Sequence, residues 1–256
     1  MSLGRRKVGI DDQSRWVFNR MADVYPARPP YPPALIDALA ELARSAGPGA
    51  RIGDLGAGIG HVALPLAARG FDVTAVEPAA SMLAELRATA AARRLPVRAF
   101  HAAAEATPVA AASLDLVVVA DALHFLDAEL TAREIARVLA PGGALAVVTC
   151  DFAETPYMRD VVRVMNDAVP RRPRALTQQL VQVAAITGVA FSDERRFADQ
   201  TAVDAPTLER ILRSISFIGP AMNPTRFAAF RTRVQALPGP PVWGRTFLLR
   251  AGRRRN

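Results

Sequence analysis

The chain is poor in cysteine, lysine and aromatic residues. Cys150 is the single cysteine among 256 residues, which excludes an intrachain disulfide and a cysteine-built zinc cluster and agrees with a reducing compartment. Lys7 is the single lysine, although Lys and Arg together number 32 and the net charge is +8. The arginines are spread along the chain and aromatic residues make up 6% of it, so the charge reads as a solvated surface rather than a nucleic-acid footprint. The alternative use for some of that charge is an anionic small substrate, with Arg171, Arg172 and Arg174 as candidates. No apolar run reaches the length of a membrane helix, since the best stretch, 114–126, contains Asp115, Asp121 and His124. Arg5, Arg6 and Lys7 are followed by Asp11 and Asp12, where a secretory leader needs apolar residues, so a cytoplasmic protein with no membrane partner is expected.

What is present is an alternation. Buried-strand patterns over 51–55, 72–76, 97–101, 114–120 and 143–150 are separated by helical patterns over 61–68, 80–94 and 128–139. Strand and helix in alternation predict an α/β fold, a doubly wound, mostly parallel sheet covered on both faces. Pro141-Gly142-Gly143 reads as the turn before the fifth strand. Beyond it, helices are expected over 155–169, 174–186 and 207–217, a strand over 191–197 and a closing strand over 242–250, with Arg253, Arg254 and Arg255 as a solvated tail. The length suits one domain. Its expected divisions are a helical lid over 1–48, a cofactor-binding core over 49–152, a cap over 153–241, and a final strand and basic tail over 242–256.

The richest local signal is Asp54-Leu55-Gly56-Ala57-Gly58-Ile59-Gly60, with glycines at the turn between the first strand and the next helix. A missing Cβ lets a ligand touch the backbone there, and free helical N–H groups favour an anionic group on it. The dinucleotide fingerprint spaces its glycines G-x-G-x-x-G, whereas this spacing is G-x-G-x-G with the bulky His61 next, which serves a pyrophosphate less well. Glu77, at the end of the second strand, suits ribose hydroxyls in either kind of cofactor and separates neither reading. Gly53 within the first strand marks weak packing or a close backbone approach.

Taken with Val76-Glu77-Pro78-Ala79-Ala80-Ser81-Met82-Leu83, with Ala104-Glu105 leading to Leu114-Asp115-Leu116-Val117, and with Arg137-Val138-Leu139-Ala140-Pro141-Gly142-Gly143, this loop resembles the class I S-adenosylmethionine-dependent methyltransferases. The likeness is to their small-molecule branch, similar to the ubiquinone-biosynthesis and trans-aconitate types. Tyr25 with Arg28-Pro29-Pro30-Tyr31-Pro32 resembles that branch's N-terminal lid. The resemblance implies a Rossmann-like seven-stranded sheet with a helical lid and cap, S-adenosyl-L-methionine as cofactor and a small-molecule substrate. It implies that Gly56, Ala57, Gly58 and Gly60 form the cofactor loop, that Asp54 orients the amino group, and that Glu77 takes the ribose hydroxyls. Pro78 and Met82 would flank the adenine, Ala103 and Ala104 would meet its edge, and Ala120 would border the sulfonium. Relatives often carry a polar residue where Ala103 stands.

Methyl transfer by in-line displacement asks chiefly for alignment, and a base only where the nucleophile arrives protonated. His124, after the fourth strand, is the candidate base, with a structural histidine as the alternative, and Tyr25 the candidate lid residue. His61 reads as a helix-start residue beside the cofactor, His101 as a strand end, and Asp121 as a capping or solvated carboxylate that could instead orient an amine. Met158, Met165 and Met222 read as core or cap residues. Two further readings stay open: a methyltransferase-like scaffold that catalyses a reaction other than methylation, and an NAD-dependent oxidoreductase. A base-methylating enzyme is disfavoured because Ala120-Asp121-Ala122-Leu123 follows the fourth strand where an Asn or Asp with Pro-Pro-aromatic would stand.

Overall fold

A computed structural model describes residues 17–170 and 174–255, so the expectations for Arg5, Arg6, Lys7, Asp11, Asp12, Arg171 and Arg172 lie outside the described residues. After helix α1 (Pro33–Arg44), strands and helices alternate as β1 (Arg51–Leu55), α2 (Ala63–Ala67), β2 (Asp72–Glu77), α3 (Ala80–Ala92), β3 (Val97–His101), β4 (Leu114–Ala120), α4 (Ala128–Val138) and β5 (Leu139–Phe152). There follow α5 (Pro156–Ala168), α6 (Leu176–Thr187), β6 (Val189–Ala202), α7 (Ala205–Arg213), α8 (Pro224–Gln235) and β7 (Val242–Arg254). The seven strands form one sheet in the order β3-β2-β1-β4-β5-β7-β6, parallel except for β7, which runs antiparallel to both neighbours. The expected α/β, mostly parallel, doubly wound sheet is present.

The central strands are buried on both sides, and their side chains divide with the two-residue period of a pleated strand. Leu116 and Val118 of β4 join a core with α1 and α2 on one face, whereas Val117 and Val119 join a core with α4 and α6 on the other. The cap has its own core, in which Met158 and Met165 of α5 pack with Leu208, Ile211 and Leu212 of α7 and with Phe227 and Phe230 of α8. Among the described residues no helix is long and apolar enough to cross a membrane.

Several boundaries differ from the sequence reading for local reasons. Helix α2 starts at Ala63 rather than at His61, because the glycine turn runs on and the Asp54 carboxylate takes the Ala63 N–H at 3.0 Å. Arg94, at φ +54°, ends the chain's helical course after α3. Strand β5 begins at Leu139, and the Pro141-Gly142-Gly143 turn is absorbed into a register irregularity between Leu114 and Leu116 of β4. The expected close approach at Gly53 is made by a side chain, since a Cβ there would lie 2.5 Å from Leu114 Cδ1.

The basic tail is a correction. Arg253 and Arg254 belong to β7, and their guanidinium groups donate to the carbonyls of Gly142, Ala136 and Leu139 and to Ser45 Oγ, so strand pairing and these bonds hold them against the body. Helix α8 falls in a stretch with no expected element. It is capped by Asn223, whose side chain accepts from Arg226 N at 2.9 Å, and it buries Phe227, Phe230 and Val234.

Candidate active site

The sheet reverses its winding between β1 and β4, and open α/β sheets bind ligands at the carboxyl ends of strands where that reversal opens a crevice. Here the crevice is floored by the glycine turn after β1. Gly56, Gly58 and Gly60 all have positive φ, at +77°, +56° and +92°, which side chains on L residues rarely adopt. Their surroundings differ. A Cβ on Gly56 would stand 2.7 Å from Ala122 Cβ, a Cβ on Gly60 would meet Leu64 and Leu86, and a Cβ on Gly58 would meet nothing within 4 Å. Gly58 thus faces open space, while Gly60 serves the packing of α2 and α3 against the turn and lines neither chamber described below.

Glu77 holds this turn. Its Oε2 accepts the N–H of Gly58 and its Oε1 the N–H of Ala79, each at 2.8 Å, and the side chain is buried. Asp54, 1% exposed, accepts from Ala63 N. Burial, with a smaller push from Glu77, raises the Asp54 carboxyl to about 7 against the opposing effect of that hydrogen bond.

Two chambers meet above the turn. The first is bounded by Gly56, Gly58, Glu77, Pro78, Met82 and Ala104, with Ala120 at the end of β4, and it continues past Asp54 and Ala57 in a narrow extension. Of the expected cofactor residues, Ala103 stands apart from these walls; it is buried and bridges to Ala106. The second chamber lies under the cap, between the 3-10 turn Tyr25–Ala27, the segment 215–217 and the ends of β5 and β7. Phe18, Tyr25, Asp121 and Phe125 line both.

Tyr25 thus stands where the chambers join. Its ring lies under the Arg28 guanidinium at 4.4 Å and beside His61 at 5.9 Å between centroids, and burial raises its hydroxyl's pKa. His61 lies in the turn before α2, and burial first, then Arg28 and Arg245, lower it to about 4, so the ring is neutral at pH 7. His124, on the 3-10 turn Leu123–Phe125, faces the second chamber only, with its ring 4.0 Å from that of Phe125 between centroids. His101 is at the surface, where Nε2 contacts the Pro78 carbonyl oxygen at 2.9 Å. Among the described residues no group of three or more His, Cys, Asp or Glu is arranged to hold a metal ion.

Asp121 corrects the sequence reading. The cap of α4 is Asp127, whose side chain accepts from Glu129 N and Leu130 N, both at 3.1 Å. Asp121 instead sits at φ +48° between the chambers, and burial raises its carboxyl to about 6 despite the charges of Arg174 and Arg28. No spacing in the sequence distinguishes it from a loop carboxylate. Arg28 and Arg245 were not singled out singly either, yet they tie the segment 28–30 to the rest of the protein. Arg28 donates to Ser214 Oγ at 2.8 Å and to the Ser214 carbonyl at 2.7 Å, while Arg245 pairs with Asp199 and donates to the carbonyls of Pro29 and Pro30.

The same strands and turn carry a sequence match. A family model described as methyltransferase domain matches residues 53–147. An uncharacterized methyltransferase of Mycobacterium tuberculosis is 43% identical over 122 residues, which are 47% of this chain and 46% of that protein. The malonyl-[acyl-carrier protein] O-methyltransferase of Enterobacter lignolyticus is 33% identical over 167 residues, 65% of this chain and 64% of that protein. The chain therefore spans about half the length of the first of these relatives and under two thirds of the second. In fold it is similar to the geranyl diphosphate C-methyltransferase of Streptomyces coelicolor A3(2), whose structure was solved with S-adenosyl-L-homocysteine. That likeness has a TM-score of 0.52 at 16% identity and covers 86% of this chain and 78% of that one. The match covers the glycine turn, Glu77 and the end of β4 that bound the first chamber, so residues 53–147 match a methyltransferase domain and are similar to the class I S-adenosylmethionine-dependent methyltransferases.

Proposed function

We propose that the protein transfers a methyl group from S-adenosylmethionine to an oxygen, nitrogen or carbon of a small metabolite. The observation that carries this reading is the shared wall: a chamber suited to the cofactor opens directly on a second, capped chamber, with Tyr25 and Asp121 in both.

The residues of the first chamber fit the cofactor's parts. The Cβ-free Gly58 leaves room for close approach, and Gly56 and Ala57 complete the bend against the methionine part. Glu77 is held by two backbone N–H groups at the end of β2, where its carboxylate lines the first chamber and suits ribose hydroxyls. Pro78 and Met82 offer apolar contact to an adenine ring, and the backbone at Ala104 borders the same end. Asp54 faces the methionine end and suits an ammonium. When bound, the cofactor supplies an electrophilic methyl group on a positively charged sulfur.

The protein's task is alignment, which is worth roughly 7–11 kcal/mol of barrier where reacting atoms are held in line. Tyr25 and Phe125 limit where an acceptor can lie against Ala120, and Tyr31 together with the segment 215–217 would keep water out. Calorimetric titration with S-adenosylmethionine, S-adenosylhomocysteine and NAD tests the cofactor, and binding of NAD alone would refute the reading. Release of S-adenosylhomocysteine in the presence of acceptors then separates methyl transfer from another reaction on the same scaffold.

A further inference from the structure

Resting on the methyltransferase reading, we propose that the acceptor is a neutral, planar aromatic hydroxyl compound, and that Asp121 accepts the proton of its O–H group.

The second chamber gathers rings out of proportion to the chain. Of the sixteen Phe, Tyr and Trp residues in the sequence, seven line it, and His61 and His124 add two more rings. They come from separate elements, so their meeting is tertiary: Phe152 of β5 lies edge-on to Trp243 of β7 at 5.6 Å and 85°, and Tyr31 meets His61 at 5.8 Å and 63°. Such faces and edges favour a flat ring between them.

The chamber's cations are already engaged. Arg245 is taken up by Asp199 and the Pro29 and Pro30 carbonyls, and Arg28 by Ser214 and the Tyr25 hydroxyl. Arg174 donates to the Cys150 carbonyl at 3.2 Å and stands 3.5 Å from Asp121 Oδ1. An anionic acceptor would therefore meet engaged arginines, with Asp121 and Asp151 on the same wall.

Asp121 supplies the polar element that a ring hydroxyl needs. Its backbone N–H is fixed to the Val148 carbonyl at 2.8 Å, and its Oδ1 is enclosed without a hydrogen-bond partner, the Arg174 contact being one of charge only. The side chain as a whole keeps 23% of its surface open where it lines both chambers, so a ligand O–H can reach the carboxylate from that side. Arg174 and Arg28 favour the charged form, burial and Asp151 oppose it, and the balance near 6 leaves Asp121 ionised at neutral pH yet basic enough to receive a proton. The Tyr25, Tyr31 and Cys150 groups facing it are all pushed upward by burial and stay protonated, and His61 stays neutral. His124 lines the second chamber and not the first, whereas Asp121 lines both.

The step balances. The acceptor's O–H bond breaks with its proton going to the Asp121 carboxylate, the oxygen's lone pair forms the new bond to the methyl carbon, and the carbon–sulfur pair stays with sulfur as a neutral thioether. The proton passes to water when the product leaves.

The test is calorimetric binding of three flat probes to the full chain, with and without S-adenosylhomocysteine: 4-cyanophenol, its methyl ether 4-methoxybenzonitrile, and 4-cyanobenzoate. The wild-type protein should bind the phenol at least tenfold more tightly than either of the others, with affinity rising as pH increases through about 6. Asp121→Asn and Asp121→Gly both tolerate the positive φ, and both should lose the preference over the ether while still binding the ether. Equal binding of phenol and ether, tighter binding of the benzoate, binding of none of the three, or a preference that survives both substitutions would each overturn the proposal. Absence of S-adenosylhomocysteine binding to the wild-type chain would instead overturn the methyltransferase reading beneath it.

Discussion

Glu77 and Gly58 are joined by a 2.8 Å hydrogen bond, the Gly58 N–H donating to the carboxylate, so the residue that ends β2 holds the turn that follows β1. Ala79 N–H is satisfied by the same side chain. Glu77→Ala should leave two backbone donors without this acceptor, at about 1–3 kcal/mol for each that stays buried and unpaired. Urea unfolding should report a loss of that order, and calorimetry a fall of at least a hundredfold in S-adenosylmethionine affinity. Unchanged affinity would remove Glu77 from the site.

Gly58→Val introduces a branched side chain at φ +56°, where the space it would fill is the chamber itself. Backbone strain should cost roughly 1–2 kcal/mol. The circular dichroism spectrum should therefore keep its folded form while cofactor binding disappears, and retained binding would show that the methionine end lies elsewhere.

Asp54 should make cofactor binding depend on pH. Burial raises its carboxyl from 3.8 to about 7, so the group's contribution to stability is fully present below about 4 and is lost as pH rises through about 7. The charged form, which an ammonium needs, appears over the same upper limit. S-adenosylmethionine affinity should thus increase between pH 6 and 8, and Asp54→Asn should flatten that profile. A wild-type profile with no rise would contradict the assignment.

Arg245 anchors the segment that holds Pro29 and Pro30. It is 6% exposed, paired with Asp199 and bonded to the carbonyls of Pro29 and Pro30. Arg245→Met removes one partner of a buried pair and should destabilise the fold by about 3–5 kcal/mol in urea unfolding. Limited proteolysis should also open near residues 28–33, and a loss below about 1 kcal/mol would mean the pair is dispensable.

The elements that could be read from the sequence are those whose environment is uniform. Strands β1, β3 and β4 keep their expected limits, and in β4 the apolar run over 116–120 is what burial on both faces requires. Strand β6 runs to Val189–Ala202 rather than 191–197, because its partner β7 extends it and its outward positions are polar, which hides its length in a hydrophobicity pattern. Helix α8 had a readable start in Asn223-Pro224 and apolar Phe227, Phe230 and Val234, but interleaved arginines diluted the pattern. Within the site, the glycine bend and Glu77 announced themselves through spacing. Asp121, Arg28 and Arg245 did not, since a buried carboxylate or guanidinium has the same letter as a solvated one.

By itself the sequence determined the alternating α/β plan and the Cβ-free bend, because strand period, helix period and the steric demands of positive φ act over neighbouring residues. Only the tertiary structure decided that Tyr25, Asp121 and Trp243, far apart along the chain, would wall one space, and that Asp121 would be desolvated there. Burial and charge are properties of surroundings, and those surroundings exist only once lid, sheet and cap have packed together.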